Sequence, residues 1–142
     1  MIAIGNDHAA YDLKVALKKH LEEKGYEVMD FGCDSDKSVD YPIYAKKVCE
    51  AVLAGQADKG VLLCGTGIGM SMVANKFRGI RAAVVGDAFS AEATRSHNDA
   101  NVLCMGARVV TAEKAELFAD IFLETEFSNE EKHARRISMI ED

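Results

Sequence analysis

One alternation constrains this chain more than any other feature. Short apolar runs rich in β-branched residues take turns with longer stretches whose apolar residues recur at helical spacing. Ile2-Ala3-Ile4-Gly5 predicts a first strand that runs into the polar Asn6-Asp7-His8. Leu13, Ala16, Leu17 and Leu21 follow with helical period, lysines and glutamates take the other face, and Gly25 stops the helix. Tyr26–Phe31 predicts a second strand, Gly32–Asp40 a polar loop, and Pro42 the start of a helix carrying Ala45, Val48, Val52 and Leu53. Gly60–Cys64 is a short, wholly apolar strand, followed by a helix over Met70–Lys76. Strands at Ile80–Val85 and Val102–Met105 flank a helix at Ala88–Ser96. A helix over Thr111–Phe127 starts on Thr111 as cap with Glu113 in its first turn, and a last helix follows Ser128-Asn129.

Five strands separated by helices make a mostly parallel sheet, because crossover helices must lie over its faces. The expected fold is α/β, in a single domain covering residues 1–142. Ligands of such sheets bind at the carboxyl ends of the strands. The polar segments there are Asn6-Asp7-His8, Gly65–Gly69, Gly86-Asp87 and Gly106-Ala107-Arg108.

Composition removes several classes of function. With 17 Lys+Arg against 23 Asp+Glu the net charge is −6, which argues against a general nucleic-acid or anionic-membrane binder. No run of about 18 apolar residues exists to span a membrane. The first residues lack a basic region and reach Asp7 too early for a signal peptide, so a cytoplasmic protein is expected. Cys33, Cys49, Cys64 and Cys104 contain no C-x-x-C pair and are expected to stay reduced.

The strongest local signal is Cys64-Gly65-Thr66-Gly67-Ile68-Gly69-Met70-Ser71, a strand running through a glycine-rich turn into a helix. Glycines let backbone approach a ligand, and exposed N–H groups at a helix start favour an anion. The glycine spacing is wrong for a dinucleotide fingerprint, and the Gly-Lys-Ser/Thr of a P-loop is absent. A tight structural turn without a ligand is the plainer alternative. Cys64 opens the turn just before the helix, where the local field favours a thiolate over a free thiol of pKa about 8.5. Cys49 and Cys104 read as core, and Cys33 as loop.

Among the histidines, His20 reads as a solvated helix-face residue, whereas His8 stands beside Asp7 at a strand end. His97 lies in Arg95-Ser96-His97-Asn98-Asp99-Ala100-Asn101 and is a candidate general acid or base, its ordinary pKa being about 6.5. Capping or local hydrogen bonding is the alternative for each. A cationic group, Arg108, Lys132, His133, Arg135 and Arg136, suits a phosphate, since arginine grips two oxygens at once. Solvated helix faces are the alternative here.

Taken together, Gly5-Asn6-Asp7-His8, Asp40-Tyr41-Pro42, Cys64–Ser71, Ala74-Asn75-Lys76, Gly79-Ile80-Arg81-Ala82, His97–Asn101 and Gly106–Val110 resemble the ribose-5-phosphate isomerase B family, which includes the galactose-6-phosphate isomerase subunits. The resemblance implies a three-layer α/β/α, Rossmann-like sandwich with a five-stranded parallel sheet. It implies a homodimer or dimer of dimers whose active sites are shared between subunits. The implied reaction is interconversion of ribose 5-phosphate and ribulose 5-phosphate through an enediolate, with no metal and no organic cofactor. Cys64 matches the family's base and His97 its ring opener, while Thr66 and the Gly65, Gly67, Ile68, Gly69, Met70 and Ser71 segment match the turn that holds the enediolate. Asp7, His8, Tyr41 and Asn98 match substrate contacts, and Arg108, Lys132 and Arg136 match positions around the phosphate. Two departures stand out: Glu130-Glu131-Lys132-His133 replaces a common Gly-Gly-Arg-His, and Ala10 follows Asp7-His8-Ala9 where the family has glycine.

Two other functions compete. A non-catalytic sugar-phosphate-binding domain would keep the fold and lose turnover, against which intact Cys64 and His97 argue. A nucleotide-binding oxidoreductase module fails on glycine spacing. Allose 6-phosphate stays open as a substrate, because a six-carbon sugar asks only for more room.

Overall fold

Five strands form one sheet in the order β2-β1-β3-β5-β4, every neighbouring pair parallel. They are β1 (Ile2–Asn6), β2 (Val28–Asp30), β3 (Lys59–Cys64), β4 (Ala82–Val84) and β5 (Val102–Gly106). The helices are α1 (Tyr11–Glu23), α2 (Tyr41–Leu53), α3 (Ile68–Ala74), α4 (Ala88–Ser96), α5 (Ala112–Glu124) and α6 (Glu131–Ile140), with a 3-10 turn at His8–Ala10. The structure is a computed structural model and describes all residues, Met1–Asp142.

Alternate strand residues point to opposite faces, so the three central strands bury both sets. Ile2, Ile4, Val61, Leu63, Leu103 and Met105 meet Leu13, Leu17 and Leu21 of α1 and Phe118 and Phe122 of α5 on one side. Ala3, Leu62, Cys64, Val102 and Cys104 meet Val48 and Cys49 of α2 and Met70 and Ala74 of α3 on the other. Each large side chain buried this way contributes about 1.5–3 kcal/mol, which is why these strands read as unbroken apolar runs. The expected three-layer sandwich is therefore the observed one.

The edges differ from expectation. β2 and β4 keep only three residues each, not Tyr26–Phe31 and Ile80–Val85: the next residues still reach the neighbouring strand, as from the Phe31 N–H to the Ile4 carbonyl at 2.8 Å and the Val85 N–H to the Cys104 carbonyl at 2.9 Å, but part of the flanking backbone turns to side chains. The Arg81 N–H, for example, donates to Asn101 Oδ1 at 2.8 Å. α5 is capped by Thr111 as expected but ends at Glu124, where extended Thr125 donates its hydroxyl to the Ile121 carbonyl at 2.6 Å. α3 starts at Ile68, two residues before its expected start.

Two residues sit differently from their sequence reading. His20 is not simply solvated: its Nε2 lies 2.9 Å from Asp120 Oδ1 and ties α1 to α5. Cys33 occupies a loop yet is buried, its Sγ accepting from Asn6 Nδ2 at 3.3 Å.

From β1 the chain passes to β2 on one side and then to β3 on the other. The crevice between the carboxyl ends of β1 and β3 is the switch point of the sheet, where such folds bind ligands.

Candidate active site

Cys64 is the last residue of β3 and Gly65–Gly67 turn the chain into α3. Gly67 takes a left-handed φ of +82°, and a Cβ there would lie 3.0–3.2 Å from the Met105 backbone. That conformation delivers the Gly67 N–H to Cys64 Sγ at 3.1 Å. The neighbouring Ile68 N–H donates to Thr66 Oγ1 at 3.2 Å. Two of the amides expected to face a ligand are thus engaged inside the turn. The N–H groups of Gly65, Thr66, Gly69 and Met70 have no acceptor within the chain, the last two because they stand in the first turn of α3.

β5 holds the turn from the other side. Ala107 N–H donates to the Cys64 carbonyl at 2.8 Å and Arg108 N–H to the Gly65 carbonyl at 3.0 Å. Gly106 lies so close that a Cβ would stand 2.5 Å from the Thr66 backbone. The Arg108 guanidinium comes over Gly65, and the Tyr41 ring lies against Gly69 from the start of α2. Arg108 is exposed and makes no ion pair.

At the end of β1 the Asp7 carboxylate is buried and accepts the Ala9 N–H at 3.0 Å. His8 Nδ1 accepts the Val39 N–H at 3.2 Å, which leaves the proton on Nε2. Beneath them Asn6 is fully buried: its Nδ2 donates to the Asp7 carbonyl at 2.9 Å, and its Oδ1 has no partner. Sequence reasoning passed over Asn6, since a strand-end asparagine reads only as loop polarity.

Two expected contacts are corrected at the level of side chains. Met70 is completely buried in the core beneath α3, so only its backbone faces the turn. Ser71 donates its hydroxyl back to the Ile68 carbonyl at 2.7 Å, a bond internal to the helix. Ile68 is half exposed and stands at the rim.

The remaining candidates lie elsewhere. His97 caps the C-terminus of α4, just before β5 begins, and so stands at the amino end of the sheet. Cys64 is level with Gly106 at the carboxyl end, with the length of β5, roughly 13 Å of strand, between the two ends. Asn98 is exposed beside His97. α6 is fastened to the same end: the Ser128 N–H donates to the Ser96 carbonyl at 3.0 Å, and the His97 and His133 ring centroids are 4.4 Å apart. Lys132 and Arg136, one helical turn apart on α6, are exposed and unpaired, whereas Arg135 takes Glu131 at 2.7 Å and His133 lies 3.2 Å from Glu130. The three phosphate candidates therefore do not meet in one chain. Arg108 belongs to the carboxyl end, Lys132 and Arg136 to the amino end.

A thiol under an N–H donor, unpartnered amides and an arginine outside any ion pair stand together at the carboxyl end of a parallel sheet, and they define the class: an α/β protein whose strand ends are built to take a small ligand. The comparisons with known proteins carry this further. The chain belongs to the Ribose/Galactose Isomerase family, whose model matches residues 2–140, and is an enzyme of the isomerase class. Ribose-5-phosphate isomerase B of Escherichia coli is 45% identical over 139 residues, covering 98% of this chain and 93% of that protein. A galactose-6-phosphate isomerase subunit of Clostridium acetobutylicum is 38% identical, covering 100% of this chain and 82% of the relative. The solved structure of a ribose 5-phosphate isomerase from Thermotoga maritima matches with a TM-score of 0.96 at 51% identity, covering 99% of this chain and 96% of that one. No helix is long and apolar enough to cross a membrane.

Proposed function

We propose that this protein interconverts ribose 5-phosphate and ribulose 5-phosphate through an enediolate, at a site completed by a second copy of the chain. The observation that carries the reading is the Gly67 N–H on Cys64 Sγ, with unpartnered amides and Arg108 around the same turn. Cys64 removes the C2 proton of the open-chain aldose, and the electron pair left behind forms the C1–C2 double bond. The charge moves to the oxygen on C1, where the amides of Gly65, Thr66, Gly69 and Met70 and the Thr66 hydroxyl are the donors to hand; one well-placed donor is worth ~3 kcal/mol. Return of the proton to C1, with transfer of the hydroxyl proton from the oxygen on C2 to that on C1, gives the ketose. No electron acceptor is needed.

The furanose must first open, which requires an acid/base to move a hydroxyl proton. His97 has that chemistry but stands at the wrong end of its own sheet. A partner that places its amino-end residues over the Cys64 turn brings His97 and Asn98 to the sugar, and Lys132 and Arg136 to the phosphate beside Arg108. Asp7, His8 and Tyr41 then contact the hydroxyls. The pairing of Glu131 with Arg135 keeps that carboxylate off the phosphate.

Steady-state rates with ribose 5-phosphate, allose 6-phosphate and galactose 6-phosphate on one preparation test the reading, the pentose being the expected preferred substrate. Cys64→Ala is expected to bind ribose 5-phosphate and not turn it over. Near-wild-type turnover by that variant would end the base assignment.

A further inference from the structure

The His97–Asn98 segment owes its shape to a residue outside the turn and outside the cationic group. Arg81, just before β4, puts two of its three guanidinium nitrogens on the carbonyls that follow His97. Its Nε donates to the Asn98 carbonyl at 3.0 Å and its Nη2 to the Asp99 carbonyl at 2.8 Å. Asp99 holds a left-handed φ of +47°, uncommon outside glycine, so the chain reverses sharply one residue beyond Asn98. The third nitrogen, Nη1, donates to Glu141 Oε1 at 2.8 Å. Glu141 lies past the end of α6, and its other oxygen accepts the Gly79 N–H at 3.2 Å. Asn101 closes the same knot, accepting the Arg81 N–H and donating to the Gly79 carbonyl at 2.8 Å. Arg95 also grips Asp99, at 2.7 Å, but its remaining bonds go to the Ala100 and Thr125 carbonyls, away from His97 and Asn98.

We propose that Arg81 is a positioning residue for His97 and Asn98, that Glu141 braces it, and that the chain's last residues are thereby part of the half-site each subunit gives to the other. This rests on the shared-site reading above. A three-pronged guanidinium fixes two successive carbonyls and the C-terminal tail at once, so the loop and α6, with Lys132 and Arg136, move as one body. Lysine cannot reproduce that grip.

Hybrid dimers test it. Arg81→Gln is expected to lower kcat/KM for ribose 5-phosphate by about tenfold or more, the scale on which a misplaced catalytic group acts. Glu141→Gln, on a partly exposed side chain that does not threaten folding, is expected to lower it less and in the same sense. Two differently tagged chains, co-expressed and purified through both tags, then locate the defect. Cys64→Ala paired with His97→Asn is expected to regain about half the wild-type activity, because one site of the pair is intact. Arg81→Gln is expected to be rescued likewise by Cys64→Ala, and not by His97→Asn. Failure of the first pair would overturn the shared site and this assignment with it. Success of the first pair with failure of Arg81→Gln and Cys64→Ala to complement would overturn Arg81's place alone, marking it as a global structural residue. Retention of kcat/KM within about twofold by both Arg81→Gln and Glu141→Gln would do the same.

Discussion

The backbone N–H of Gly67 donates to Cys64 Sγ across 3.1 Å, and this single bond joins the thiol to the conformation of the turn. It exists because Gly67 adopts a φ that side chains resist and because Met105 leaves no room for one. A donor held on sulfur fixes where the thiol sits against the turn. Strain, packing and chemistry therefore meet at one glycine.

Gly67→Ala is expected to reduce stability by about 1–3 kcal/mol, the cost of a side chain in left-handed backbone with crowded surroundings. It is also expected to reduce kcat while Cys64 itself is unchanged, because the N–H swings away from Sγ. Urea unfolding and steady-state rates on one preparation check both. Wild-type kcat in a destabilised variant would separate the glycine from the chemistry.

The thiols should differ in reactivity. Burial, with some help from Glu50, pushes the Cys49 thiol up to about 11, and burial raises the Cys104 thiol well above its ordinary value, with Cys64 and Cys49 adding to it. Both are expected to stay unalkylated in native protein at pH about 8 and to react fully once unfolded. Peptide mapping after iodoacetamide treatment reads this directly. Native labelling of Cys104 at the rate of Cys64 would contradict the packing described.

Lys14 is almost completely buried, and its Nζ donates to Asp30 Oδ2 at 2.9 Å and to the Cys33 carbonyl at 3.0 Å. Burial alone would raise the Asp30 carboxyl, but Lys14, the Gly32 N–H and Lys18 outweigh it and hold the pKa below its ordinary 3.8. The stability this supplies is present above the ordinary value and is lost as pH falls through the depressed one. Lys14→Met is expected to cost about 2 kcal/mol, less than a fully buried pair because Asp30 stays partly in water. Chemical denaturation of the variant at neutral pH measures it, and an unchanged midpoint would discount the pair.

His133 gives stability a second pH dependence, of opposite chemical origin. Burial first, and then the charges of His97, Lys132 and Arg136, hold its pKa below the ordinary 6.5, with Glu130 pulling the other way. Unfolded chains then bind a proton that folded ones refuse, so stability falls as pH drops through 6.5 toward the lower folded value. His133→Gln is expected to flatten that slope in thermal midpoints taken between about pH 7 and pH 5.5. An identical slope in the variant would remove His133 from the account.

How far the sequence reached can be judged at Cys64 and His97. Ile2–Gly5, Gly60–Cys64 and Val102–Met105 announced buried parallel strands because burial on both faces leaves only apolar residues to choose. The glycines at 65, 67 and 69 announced a tight turn at a strand end, and that turn is where the thiol and the unpartnered amides are found. These are local properties, and local periodicity records them. The order β2-β1-β3-β5-β4 is not local. Arg81, Asn98 and Glu141 come together from three separate segments, and nothing in their spacing marks them. The sequence determined which strands are buried and where the tight turn after Cys64 lies. Tertiary structure alone decided which groups meet, because long-range hydrogen bonds leave no periodic trace in the chain, and it set Cys64 and His97 at opposite ends of one sheet.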